Sequence, residues 1–484
     1  LLSSVGRLFG LLFMIVMALI YVFIPWYSAL LCWIVLLITV ICILKPEWGL
    51  YLLILLVPIT TFSVFVAIKT DWNFIIGNNY IDLIPIYLPV IAFSYIGFIF
   101  SKWGKIRSYH VGNPIKIPLV ILLLYSVLTI FWSENVGHCI FQCLVLLMNI
   151  TLFLLIISLI SDEETHKKVM WFWLISISLQ AVISIVLFFG ETIIFTHNIS
   201  PDLRFGFSVY GGFEQESGWP QVAAGLQDHH ETALILNMGL PVAIGLLLTS
   251  KKRLIKVALI VIMMFIICVT LRTESRAGFI ALFVMVFSLF LTIKIFRRHF
   301  LFLCIFFSLF VIGIYILQDI AINLAIKKEI TPRILFLGSK VVETGDLIDP
   351  GLSKEKLGRI KLWKGSFNKY KESWIQGFGV GNLKYYLDAP HAHSIYFSLL
   401  FDFGLIGVFC LLLISLKLIR ILLSSLRYQD SYLQIMSIAF FGGFIAVAIH
   451  GLVDFEYNTT SIWIFLGLLV GTFNLLNKEM QATL

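Results

Sequence analysis

The chain has 484 residues, of which 60% are hydrophobic and only 13% charged. Soluble globular proteins are nearer half apolar and a quarter charged, so polar surface this scarce excludes a soluble body and leaves an α-helical protein that crosses the membrane many times. Continuous rather than alternating apolar runs exclude an outer-membrane barrel. The net charge of +8 sorts by membrane side and does not point to nucleic acid.

In chain order, fourteen apolar segments are long enough, or nearly so, to span: roughly 8–24, 27–44, 49–68, 82–100, 117–132, 137–160, 168–189, 232–249, 254–271, 276–293, 300–318, 393–419, 432–453 and 460–476. No small-residue cleavage site follows the first run, which reads as a retained helix rather than a signal peptide. The expected class is an all-α polytopic membrane protein with about 12–14 transmembrane helices. Its expected divisions are N-terminal helices over 1–189, an external loop over 190–231, helices over 232–318, a large external loop over 319–392 and C-terminal helices over 393–484.

Lysine and arginine orient the chain. With the N-terminus inside, nineteen of the 35 fall on inner segments, whereas Lys69, Arg204, Arg272 and Arg276 fall outside and the remaining twelve lie in the long loop. This is a positive-inside bias that puts both termini in the cytoplasm, with the two long loops external. The seven cysteines lie in or beside apolar runs, spell out no disulfide framework or zinc set, and at 139 and 143 read as fillers facing lipid or the bundle.

The first external loop carries Arg204-Phe-Gly-Phe-Ser-Val-Tyr210 and then Asp228-His229-His230-Glu231. A structureless loop as long as 319–392 would be unusual, so this one is expected to be partly helical and functional. Its apolar positions 357, 360, 363 and 367 share a helical face, and Trp363 beside lysines suits a helix on the membrane surface. Gly377-Phe-Gly379-Val-Gly381 lacks the lysine-serine ending of a nucleotide loop and reads as a turn delivering the chain to the next helix.

Candidate chemistry gathers at outward helix ends. In Thr273-Glu-Ser275-Arg276-Ala-Gly278, Thr273 is a candidate N-cap; Arg276 in the first turn either holds an anion together with backbone donors, or snorkels, or pairs with Glu274. Arg359 is a second guanidinium suited to a phosphate, or a solvated charge among lysines; Arg204 is a third. In Asp388-Ala-Pro390-His391-Ala-His393-Ser, Pro390 suits a helix first turn, where an imidazole tends to stay neutral. His393 is a candidate general base or a hydrogen-bonded helix-start residue, and His391 is its rival. His450 and Asp454, spaced i, i+4, are candidates to orient one another or brace the site. No spacing asks for a metal.

Taken together, Ser275–Gly278, Arg359–Trp363, Gly377–Gly381 and His391–Gly407 (S-R-A-G, R-x-x-x-W, G-x-G-x-G, then H-x-H-S leading to G-L-I-G) resemble the bacterial O-antigen ligase and polymerase superfamily over about 270–410. Where that family often carries an Asn-Pro-Asn-like turn, this chain reads Asp228-His229-His230-Glu231. The resemblance implies a GT-C-like bundle in a bacterial plasma membrane. It implies transfer of a glycan from undecaprenyl pyrophosphate to an acceptor glycan hydroxyl on the outer face, with no cofactor and no metal. It also implies His393 as the activator of the hydroxyl, and Arg276 and Arg359 as holders of the pyrophosphate. The competing class is a flippase or exporter of lipid-linked glycans, which would need polar residues along its mid-depth.

Overall fold

The computed structural model describes residues 37, 40, 41, 44–56, 62–68, 114–189, 193–200, 203–209, 229–273, 275–292, 362–387, 392–425, 431–454 and 457–483. Helices dominate: α1 (Pro46–Leu56), α2 (Lys116–Leu128), α3 (Val136–Leu159), α4 (Glu163–Phe189), α5 (His229–Thr249), α6 (Arg253–Arg272), α7 (Arg276–Thr292), α8 (362–370), α9 (Leu383–Leu387), α10 (Ile395–Ser425), α11 (Tyr432–His450) and α12 (Thr460–Thr483). Seven of the described helices are long and apolar enough to cross a membrane, and the chain is a polytopic membrane protein that is helical apart from one three-stranded sheet. The helices match the apolar runs from 117 onward to within a few residues wherever those runs are described. The runs at 8–24, 82–100 and 300–318 lie outside the described residues, as does most of 27–44.

One run departs from expectation. Residues 49–68 are not a single spanning helix: α1 ends at Leu56, and Phe62–Ile68 forms strand β1. The sequence Phe-Ser-Val-Phe-Val-Ala-Ile is as apolar as a helix but rich in β-branched and aromatic side chains, which favour a strand. Strands β2 (Ile193–Ser200) and β3 (Leu203–Val209) form an antiparallel hairpin within the segment 190–231, and β3 also pairs with β1 in the order β1-β3-β2. Arg204 lies on β3, in register with Ala67 and Asn198.

Local signals set the helix boundaries. Asn135 caps α3 by accepting from the His138 amide, and Ser431 caps α11 by accepting from Gln434. The Asp162 carboxylate accepts from the Thr165 amide at the start of α4 (2.8 Å). α11 is the axis of the bundle, packing against α5, α7, α10 and α12. Its Gly442 and Gly443 let Leu289 of α7 and Phe465 of α12 approach to distances a Cβ would not permit, the usual use of small residues between membrane helices. α5 is similarly enclosed, whereas α6 and α7 turn Val257, Ile260, Val261, Phe283 and Phe287 outward as a lipid-facing surface.

At the opposite end of these helices from His230, Ser275 and His450, His166 of α4 is fully buried and bonds both ring nitrogens. Nδ1 lies 2.9 Å from the Tyr432 hydroxyl of α11, and Nε2 lies 2.7 Å from Thr472 Oγ1 of α12. Three helices are thereby tied by one imidazole. Cys139 and Cys143 are buried against Thr129 and Ser126 and so face the bundle.

The glycine segment does more than deliver the chain to the next helix. α10 is broken at Gly404 (φ 61°, ψ −149°), a conformation essentially reserved for glycine. Residues 374–381 dock into the break: the Phe378 amide donates to the Phe401 carbonyl (2.8 Å), Gly379 to Asp402 (3.1 Å), and Leu405 to Trp374 (3.0 Å). Asp402 finishes the joint, accepting from the Gly381 amide (3.0 Å) and the Tyr457 hydroxyl (2.6 Å).

Candidate active site

Five polar side chains from the ends of four helices converge. His230 lies in the first turn of α5, Ser275 just before α7, His393 two residues before α10, His450 at the end of α11, and Asp454 in the turn that follows it. His393 Nδ1 lies 3.4 Å from Asp454 Oδ1, and His230 Nδ1 lies 3.4 Å from Asp454 Oδ2. His230 Nδ1 is also 2.9 Å from Ser275 Oγ, which lies 3.4 Å from His450 Nε2. Four members are buried; the His393 side chain is the exception at 29% exposed, against 2% for Asp454.

The backbone around His393 is held tightly. Its φ is 48°, the sole positive value at a non-glycine among the described residues, and histidine is one of the few side chains that tolerate the left-handed region. That conformation costs of order 1–2 kcal/mol and is kept where surrounding contacts over-determine it. Those contacts are visible. The Ile395 amide (2.9 Å) and the Ser394 hydroxyl (3.3 Å) both donate to the Gly451 carbonyl, fastening the start of α10 to the turn that carries Asp454. Ser394 also accepts from the Phe397 amide (3.4 Å) as the cap of α10. Trp363 of α8 donates to the Ala392 carbonyl (2.8 Å) and stacks on Phe397 at 5.6 Å.

Several expectations change. Ser275, not Thr273, caps α7: Ser275 Oγ accepts from the Gly278 amide (3.1 Å), while Thr273 ends α6 and donates back to Thr270. The helix after His393 begins at Ile395, and Pro390 lies outside the described residues. Asp454 is not on the helix of His450 but in the turn beyond it, and His450 reaches Ser275. Half-buried Trp363 is hydrogen-bonded to the turn before His393, and Phe367 is an exposed ring of α8.

Of the residues singled out from sequence, His393, His450 and Asp454 come together. Arg276 is exposed in the first turn of α7, directly after Ser275. Arg359 and His391 lie outside the described residues, and of Arg204 only the strand position is described. His230 and Ser275 were not singled out for the site. Each sits at a helix start on the same end as His393, which was the available signal. Among the described residues no three imidazole, carboxylate or thiol groups are arranged to hold a metal ion.

A partly exposed imidazole beside a buried carboxylate can accept a proton from a hydroxyl. A helix start bearing an arginine can receive an anion. Residues 259–412 match the family described as O-antigen ligase. The matched stretch includes Ser275, Arg276 and His393, but not His230, His450 or Asp454. A comparison of the chain with curated proteins finds no match.

Proposed function

We propose that this chain, whose residues 259–412 match the O-antigen ligase family, transfers a glycan from undecaprenyl pyrophosphate to an acceptor glycan hydroxyl on the outer face of a bacterial plasma membrane. His393 Nε2 takes the proton of the acceptor hydroxyl as its oxygen bonds to the anomeric carbon. The bond from that carbon to the pyrophosphate breaks, and undecaprenyl pyrophosphate departs with the electron pair. Arg276 and Arg359 meet the charge of the leaving group. Such a reaction starts from a good leaving group, so positioning and charge stabilisation supply the rate and no covalent enzyme intermediate is needed.

The observation that carries this reading is the His393 turn: a left-handed, partly exposed imidazole whose Nδ1 faces the buried Asp454 carboxylate. Both termini are cytoplasmic and the catalytic end external, in keeping with the distribution of lysine and arginine. The test is to incubate the purified protein with a defined undecaprenyl-pyrophosphate glycan and, separately, a lipid-core acceptor or a second lipid-linked glycan. A single shift of the acceptor identifies ligation and a ladder identifies polymerisation. Donor consumption without transfer to either acceptor contradicts the reading.

A further inference from the structure

We propose that the turn joining α5 to α6, with Lys251, Lys252, Arg253 and Lys256, binds the headgroup of an anionic phospholipid whose acyl chains lie along the exposed face of α6. This turn stands at the end of the bundle opposite His393, because α6 runs away from it, from Arg253 to Arg272, and ends beside Ser275. Nothing in the site depends on the reaction at His393.

Charge is the first half of the match. These four cations fall within residues 251–256, and the sequence from 232 to 273 holds no aspartate or glutamate to offset them. All four are exposed, and none forms a side-chain hydrogen bond or ion pair among the described residues. The neighbouring helix manages its cations differently. α4 packs beside α6 and carries Lys167 and Lys168 at the same end, where Glu163 and Glu164 pair with them one turn away. On α6 the counter-charge has to come from outside the chain, and basic groups at the end of a membrane helix attract anionic lipid. The second half is apolar. Arg253, Val257 and Ile260 stand at i, i+4 and i+7 on α6, and Lys256 stands one turn before Ile260. The cations therefore head the same stripe that exposes Val257 and Ile260, with Leu254 (81% exposed) and Val261 (61% exposed) alongside. A phospholipid has the same order, a phosphodiester above two hydrocarbon chains, and its phosphate oxygens accept from lysine and arginine alike.

The full-length protein, immobilised in a non-ionic detergent, is titrated with radiolabelled phosphatidylglycerol or phosphatidylcholine of the same acyl chains, and the retained lipid is counted. Expected for the wild type is binding of phosphatidylglycerol about tenfold or more tighter than of phosphatidylcholine. In Lys251→Gln/Lys252→Gln/Arg253→Gln/Lys256→Gln the preference falls to about twofold or less. Lys116→Gln/Lys417→Gln/Arg420→Gln/Lys478→Gln removes as many cations from the same end of α2, α10 and α12 and keeps the preference. Cations that serve only to orient the chain in the bilayer predict no preference in the wild type, and that result overturns the proposal. So does a preference kept by the first variant, or equal losses in both, the mark of net charge alone. Glycerol phosphate at matching concentration is expected to leave phosphatidylglycerol bound; full competition assigns the turn to a free phosphate and overturns the lipid proposal. Should the first variant not be recovered monodisperse, Lys252→Gln/Lys256→Gln gives the second reading, with a preference lowered about threefold or more. Raising salt from about 0.1 M to about 1 M should also weaken phosphatidylglycerol binding to the wild type and spare phosphatidylcholine. An unchanged double variant or a salt-independent preference overturns the proposal.

Discussion

Two buried histidine clusters lie at opposite ends of the bundle, and their difference shows how a structural imidazole is told from a chemical one. At one end His166 is fully enclosed, with both nitrogens within 2.9 Å of neutral hydroxyls, Tyr432 and Thr472. At the other, His393 is partly exposed, has a left-handed backbone and lies 3.4 Å from a carboxylate on Nδ1. The first arrangement satisfies the ring completely and locks three helices. The second orients the ring from one side and supplies a counter-charge for a protonated form. What differs is the chemistry of the partner, a carboxylate against hydroxyls, and the exposure of the ring.

The largest separation between the clusters should come from Asp454→Asn. If the carboxylate orients His393 and stabilises its protonated form, kcat falls about 10²–10⁴-fold, as for other carboxylate-supported imidazole bases, while donor binding is kept. A kcat near that of wild type would erase the distinction. His166→Phe should do the reverse. It deprives the Tyr432 hydroxyl of its imidazole partner and costs about 1–3 kcal/mol of stability, read as a lower Tm, with kcat of the folded fraction unchanged. The smallest effect concerns Asp162, whose backbone carbonyl accepts from the His166 amide and whose carboxyl is held below its ordinary value chiefly by the Thr165 amide. A lowered folded pKa means that its contribution is present above the ordinary carboxylate value and lost as pH falls through the lowered one. The Tm difference between wild type and Asp162→Ala should therefore be full at neutral pH and shrink below about pH 4.

Hydropathy made the helices from 117 onward legible, because a bilayer leaves a long apolar segment little choice but a helix. It misread 49–68, where the deciding fact is the pairing of Phe62–Ile68 with Leu203–Val209, a contact far away in sequence. His393, His450 and Asp454 could be read because each stands beside an apolar run. Which neighbours they meet could not, since that depends on how α11 packs between α5, α7 and α10. His230 was obscured by the adjacent His229 in a polar tetrad. Ser275 was overshadowed by Arg276, although its spacing to Gly278 is that of a helix cap. The docking of 374–381 into the break at Gly404 was likewise hidden, because three glycines advertise a turn without naming what receives it.

The turnover of His393→Ala, measured beside His166→Phe at matched donor binding with an undecaprenyl-pyrophosphate glycan, tests the central claim most directly. The account predicts a loss of about 10²–10⁴-fold for His393→Ala, the contribution of a positioned base, with Tm preserved. A His393→Ala protein that binds donor and transfers glycan at close to the wild-type rate would contradict it.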